Sequence, residues 1–133
     1  MESKLFKKLK RATPHFHWQR HEDKFTSGIP DCSFAGPKGE GWVELKTYDC
    51  WPRNPEDPLK FTDLKATQVN WAKKRIKAGG NVWFLIEVGE DWFLIDGHYS
   101  RSFGRLTKRG LLNRAVIHGS GSIPKSIADH LQP

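Results

Sequence analysis

Hydrophobic and polar positions change rhythm several times along the 133-residue chain. Over residues 2–11 (ESKLFKKLKR), Leu5, Phe6 and Leu9 recur at helical spacing among lysines, which predicts a short basic helix stopped by Pro14. Over 15–21 the period drops to two: Phe16 and Trp18 point one way, His15, His17 and Gln19 the other, as in a half-buried strand. Ser27-Gly28-Ile29-Pro30 is a turn-rich break. Two short strands are expected after it, at 31–35 and 42–47, joined by the turn segment GPKGEG. The stretch 48–60 contains Pro52, Pro55 and Pro58 and is read as a loop.

A helical pattern then runs over 63–78, with Leu64, Val69, Ala72 and Ile76 as its apolar stripe, Thr62 or Asp63 as N-cap and Gly79 as its stop. Residues 81–96 hold two strongly apolar strands, VWFLIEV and WFLI, turning at Gly89-Glu90-Asp91; this hairpin is the expected sheet centre. The following SRSFGRLTKRGLLNR reads as basic and loop-rich, before a short helix at 124–131 capped by Ser122. The order αβββαββ, ahead of that last helix, predicts a single mixed α/β domain over residues 1–133.

Charge adds a partner class. Lys and Arg number 22 against 15 Asp and Glu, a net charge of +7, which favours a polyanion through counterion release and steering. Cys32 and Cys50 are the two cysteines; they form neither a disulfide framework nor a zinc spacing, so a reducing, cytoplasmic setting is expected (host cytoplasm if phage-encoded). The basic N-terminus has no apolar run behind it and no stretch is long enough to span a membrane, so the expectation is a soluble protein without a secretory signal.

The candidate chemistry lies in Asp31 and Trp42-Val43-Glu44-Leu45-Lys46. If Ala35 and Trp42 close the hairpin, Asp31 falls opposite Lys46 and diagonal to Glu44, so two carboxylates and an ammonium share one face. Mg²⁺ is a hard ion that takes one or two carboxylates and keeps several waters. Asp31 and Glu44 could hold it, with the Leu45 carbonyl as a third ligand, while Lys46 orients the attacking water or neutralises phosphate charge. The plain alternative is a surface cross-strand ion pair. Val43 and Leu45 make the opposite face of the strand apolar, and Gly28-Ile29-Pro30 sets Asp31 on a rigid turn. Both favour a positioned site.

Taken together, Ser27-Gly28-Ile29-Pro30-Asp31 and Trp42-Val43-Glu44-Leu45-Lys46 resemble the PD-(D/E)XK nuclease signature, closest to its VRR-NUC-type and Holliday-junction-resolvase-like branches. Gln68, on the helix after the ELK strand, sits where those branches often carry a glutamine, and the return AGGNVWFLIEV fits as well. The resemblance covers about half of the chain. It implies a restriction-endonuclease-like fold, a mixed central sheet of four strands flanked by helices, and cleavage of DNA with Mg²⁺ or, as substitute, Mn²⁺. It also implies Asp31 and Glu44 as metal ligands, Lys46 as catalytic and Gln68 as a site-orienting residue. Many members add an acid from the first helix, for which Glu2 and Glu22 are the candidates.

Other features have plainer readings. His15, His17 and His21 read as solvated strand histidines, and Trp71, Trp83 and Trp92 as core. Trp51, in the proline-rich loop, is the candidate DNA-stacking aromatic. Lys7, Lys8, Lys10, Arg11, Arg101, Arg105, Lys108, Arg109 and Arg114 are candidate phosphate contacts. The function expected is a metal-dependent DNA endonuclease, selective for branched or Holliday-junction DNA, in recombination, repair or phage DNA processing, acting as a homodimer. Alternatives are a nonspecific nicking or degradative nuclease, a non-catalytic nucleic-acid-binding module on the same fold, and a basic interaction protein whose acid–lysine cluster is a surface ion network.

Overall fold

The computed structural model describes residues 3–22 and 27–133. Helix α1, Lys4–Ala12, starts two residues later than the 2–11 pattern suggests because Ser3 caps it, its hydroxyl accepting the Phe6 N–H at 3.1 Å. Thr13 ends it: its Oγ1 donates to the Leu9 carbonyl at 2.8 Å and accepts from the Trp18 indole at 2.9 Å. That contact ties the helix to strand β1, His17–Arg20, shorter than the 15–21 alternation. Phe16 and Trp18 do share a face there, packed with Phe34.

Strands β2, Cys32–Gly36, and β3, Gly39–Tyr48, form a tight hairpin. The turn is Pro37-Lys38 between the paired Gly36 and Gly39, not the longer loop expected between Ala35 and Trp42. Helix α2 runs Ala66–Lys77 and leaves Asp63 outside it; Lys65, not Thr62 or Asp63, is the N-cap. Gly79, at φ +97°, terminates it as expected. The apolar hairpin forms β4, Val82–Val88, and β5, Asp91–Asp96.

The tail holds more structure than its loop-like sequence suggests. A 3-10 helix spans Gly97–Arg105, followed by α3, Lys108–Arg114, and a sixth strand, β6, Ile117–Ser120. The last helix, α4, covers only Ile127–Leu131, with Ser126 rather than Ser122 as its cap. The sheet has six strands in sequence order, antiparallel except for the β3–β4 pair, rather than four. The expected α/β class, a mixed sheet flanked by helices, is the one observed.

Alternation places two cores on the two faces. Val43, Trp83, Leu85, Trp92 and Leu94 meet α1 and α4 through Leu5, Phe6, Leu9, Ile127 and Leu131. Phe84, Ile86, Phe93 and Ile95 meet α2, the 3-10 helix and α3 on the other. On β3 the residues of that second face are Trp42, Glu44, Lys46 and Tyr48. Among the described residues no helix is long and apolar enough to cross a membrane.

Trp51 anchors the proline-rich loop on this second face. Its indole N–H donates to Asp91 at 2.8 Å, its ring meets Phe93 edge-on, and the Lys108 ammonium lies over it at 5.1 Å. The Trp51 hydrogen bond, with help from Lys108, holds the Asp91 carboxyl below its ordinary 3.8 against the opposing effect of burial. A lowered carboxyl pKa contributes stability above the unfolded value and loses it as pH falls through the folded one. Asp91→Asn is therefore expected to be less stable than wild type at neutral pH, with the difference closing below pH 3.8. Denaturant unfolding at neutral and acid pH measures it; a gap that does not close on acidification contradicts the assignment.

Candidate active site

The hairpin register decides which side chains meet. The β2–β3 ladder ends at Cys32 against Val43, so counting on puts Asp31 opposite Glu44 and Pro30 opposite Leu45. The expectation of Asp31 opposite Lys46 is thus wrong by two residues, because the chain turns at Pro37-Lys38. A two-residue shift keeps every side chain on its face. Asp31, Glu44 and Lys46 still share one side, with Lys46 now the diagonal neighbour.

A two-residue turn makes the Gly36–Gly39 pair hydrogen-bonded, and alternate pairs follow suit. Asp31 and Glu44 therefore occupy a non-hydrogen-bonded position, where facing side chains approach most closely. The next hydrogen-bonded pair would be Pro30 with Leu45. Its N–H side is taken by Asp31, whose Oδ2 accepts from the Leu45 N–H at 3.0 Å. Pro30 has no N–H to return, so the Leu45 carbonyl receives no ladder bond from it. Two carboxylates and a carbonyl thus face one corner where β2 ends.

Glu44 and Lys46 are 2% and 3% exposed, so neither belongs to a surface ion network. The Lys46 ammonium donates to the Gln68 side-chain oxygen at 3.0 Å and to the Asp63 carbonyl at 3.1 Å, with the Asp63 carboxylate at 3.4 Å. Gln68 also accepts the Lys65 N–H at 3.0 Å, which satisfies one of the open donors at the start of α2. One amide oxygen therefore fixes both the helix start and the lysine. Gln68 is thus in direct contact with Lys46.

Asp63 and Tyr48 are the residues that the sequence reading missed. Tyr48 donates its hydroxyl to Asp63 at 2.7 Å. Its phenol is pushed well above the ordinary 10.0, first by burial, then by that hydrogen bond and by the charges of Asp63 and Glu44. The signal for Tyr48 was present: Glu44, Lys46 and Tyr48 recur at period two on one strand. Asp63 carried no such signal, since it reads as an ordinary helix cap.

Gly28 explains how the Asp31 turn is held. It sits at φ +90°, and a Cβ there would lie 2.1 Å from the Thr67 carbonyl, so the backbone before Asp31 presses directly onto the first turn of α2. The acid side and the Gln68 side of the site are thereby packed together.

The remaining candidates lie elsewhere. Glu22 is exposed, just past the end of β1. Glu2 lies outside the described residues. Among the described residues no three His, Cys, Asp or Glu side chains form a metal cluster. Two carboxylates and a carbonyl nevertheless suit Mg²⁺, which needs few protein ligands. Lys7, Lys8, Lys10 and Arg11 are on α1, behind the sheet from Glu44; Lys8 is paired with Glu87 at 2.9 Å and Lys10 lies over Phe6. Arg101, Arg105 and Arg109 are exposed on the 3-10 helix and α3. Lys108 is engaged with Asp91 at 3.3 Å, and Arg114 lies over Tyr99. Trp51 is half-buried in the proline-rich loop, with its N–H donated to Asp91. His21 is not a solvated strand histidine either: it stacks on Trp42 at 4.9 Å and bonds Ser33 at 2.8 Å.

No known family model and no curated protein matches the chain. Among solved structures, the Holliday junction resolvase Hjc of the archaeal hyperthermophile Archaeoglobus fulgidus is similar, with 18% identity and a TM-score of 0.47 over 70% of this chain and 71% of the resolvase. The likeness is one of fold alone.

A raised phenol pKa contributes stability below the unfolded value and loses it as pH rises through 10.0 and beyond. Wild type should therefore lose more stability than Tyr48→Phe between neutral pH and about pH 11. Urea midpoints of both proteins at the two pH values test this. Parallel loss in both would contradict the contribution of the Tyr48–Asp63 bond.

Proposed function

We propose that this protein is a metal-dependent DNA endonuclease whose active site is built from Asp31, Glu44 and Lys46, oriented by Gln68. The observation that carries the reading is the burial of Glu44 and Lys46 side by side on an interior strand, next to Asp31 at the open end of β2. A charge pair placed there for stability alone gains little over apolar residues of the same size. The motif that these residues form resembles the nuclease signature stated above, and the net charge of +7 suits a polyanionic substrate.

Asp31, Glu44 and the Leu45 carbonyl would hold Mg²⁺ or Mn²⁺, which when bound supplies Lewis-acid stabilisation of phosphoryl oxygens and activates water. The chain's own residues do the rest. Asp31 is aimed by the Leu45 N–H. Lys46, with its ammonium pinned by Asp63 and Gln68, presents a fixed positive charge where phosphate charge develops in the transition state. Tyr48 keeps its proton and so fixes Asp63 as an acceptor. Branched DNA, including four-way junctions, is the substrate proposed, in recombination, repair or phage DNA processing. The described residues offer one such cluster and a junction needs two cuts, so the working form is a homodimer.

Asp31→Asn, Glu44→Gln and Lys46→Ala should each lower Mg²⁺-dependent cleavage of a labelled four-way junction by at least about a hundredfold. DNA binding in EDTA should survive in all three, because most phosphate contacts lie elsewhere. The losses should combine far less than additively, because the groups act as a unit. Near-wild-type cleavage by both acid variants would remove the assigned site. DNA binding with no cleavage by wild type under Mg²⁺ or Mn²⁺ would leave a non-catalytic binding module.

A further inference from the structure

The second face of the sheet carries one unassigned feature beside Glu44. Its edge is formed by β1, β2 and the start of β3. It holds a recess of about 190 Å³ lined by His17, Gln19, Ser33, Glu40, Trp42 and Arg75. That is room for one heterocycle. Its lining is mostly polar, with amide, carboxylate, imidazole and hydroxyl groups together. Among the described residues the side chains of Gln19 and Glu40 make no hydrogen bond with protein groups, so donors and acceptors face the recess unspent.

Arg75 closes its rim from the last turn of α2. The guanidinium lies 5.1 Å from the Trp42 ring centre and 5.5 Å from that of Trp71, and the two indoles meet edge-on at 5.0 Å. Gly80 fixes the stem: a Cβ there would lie 2.6 Å from the Arg75 Cγ, and the Gly80 N–H donates to the Arg75 carbonyl at 2.8 Å. Among the described residues the guanidinium makes no hydrogen bond or ion pair. A planar cation held on two aromatic rings, with its donors open to solvent, is pre-organised for a phosphate. His21, just past β1, stacks on Trp42 as well, with ring centres 4.9 Å apart.

We infer that Arg75 and this recess form a subsite for one unpaired nucleotide of the substrate strand, its phosphate on the Arg75 guanidinium and its base edge against Gln19 and Glu40. The inference rests on the nucleic-acid part of the reading above and names what the site selects. Trp42 is two residues from Glu44 on the same strand face, so a nucleotide bound here adjoins the phosphodiester at the carboxylates. A base still paired in duplex cannot enter a pocket on a sheet; a bulged or branch-point nucleotide can, at small unstacking cost. Glu40 accepts from an exocyclic amine, and Gln19 both donates and accepts, so the recess reads a base edge.

The test is DNA affinity in EDTA, which needs no cleavage, for a duplex with one unpaired nucleotide against the same duplex fully paired. Wild type should prefer the bulged duplex about tenfold, the scale of one engaged base. The double variant Gln19→Ala/Glu40→Gln should bind both duplexes alike, at the affinity wild type shows for the paired one. Arg75→Gln should weaken binding and lower the slope of log affinity against log salt by about one, and Arg75→Lys should restore the slope. Equal affinity of wild type for the two duplexes, or a wild-type slope in Arg75→Gln, overturns the subsite. Bulge preference without Mg²⁺-dependent cleavage would instead overturn the nuclease reading and leave the subsite standing; cleavage without preference does the reverse.

Discussion

Taking Lys46 out of water on an interior strand costs several kcal/mol even after the surroundings relax, and the segment before and at the start of α2 is arranged to offset that cost. The ammonium is met by the Asp63 carbonyl, the Asp63 carboxylate and the Gln68 amide. Each of these comes from the segment that starts α2. The start of the helix, the proline-rich loop before it and the strand it covers are consequently one unit. Removing Lys46 leaves the Gln68 amide oxygen with the Lys65 N–H alone; removing Gln68 leaves a buried cation short of a partner. Such interdependence is costly to maintain for stability alone, and it makes sense where a charge must be held at a fixed point.

The same constraint organises the other side of the site. The β2–β3 ladder stops at Cys32 against Val43, one residue after Asp31, whose own carbonyl accepts the His21 N–H on the β1 side at 2.9 Å. The Leu45 N–H that loses its ladder partner is recovered by the Asp31 side chain. Gly28 then lets the turn lie against Thr67 without a Cβ in the way. A short run, Gly28 to Asp31, thus supplies a tight backbone approach, a ladder stop and an aimed carboxylate.

Legibility in the sequence followed the range of the interactions. The β4–β5 hairpin was readable because its apolar run and its Gly89 turn are local signals. The β2–β3 turn was missed by two residues although Gly36 and Gly39 flank Pro37-Lys38; the site survived because the error was even. The tail was read as loop because β6 is only four residues, His118 and Gly119 among them, and gains its conformation by pairing with β5. Thr107, which caps α3 by accepting the Gly110 N–H, was a local signal in plain view. Asp63 was not recoverable: its value depends on Lys46 and Tyr48 reaching it from a strand that is distant in sequence.

The central claim is that Asp31 and Glu44 form one divalent-metal site and that Lys46 stands beside it without being a ligand. Direct Mn²⁺ binding, followed by electron paramagnetic resonance of the free ion in the absence of DNA, addresses it without reference to turnover. The account predicts saturable binding by wild type, loss of at least about tenfold in affinity in Asp31→Asn and in Glu44→Gln, and undiminished binding in Lys46→Ala. Wild-type Mn²⁺ affinity in the double variant Asp31→Asn/Glu44→Gln would contradict it.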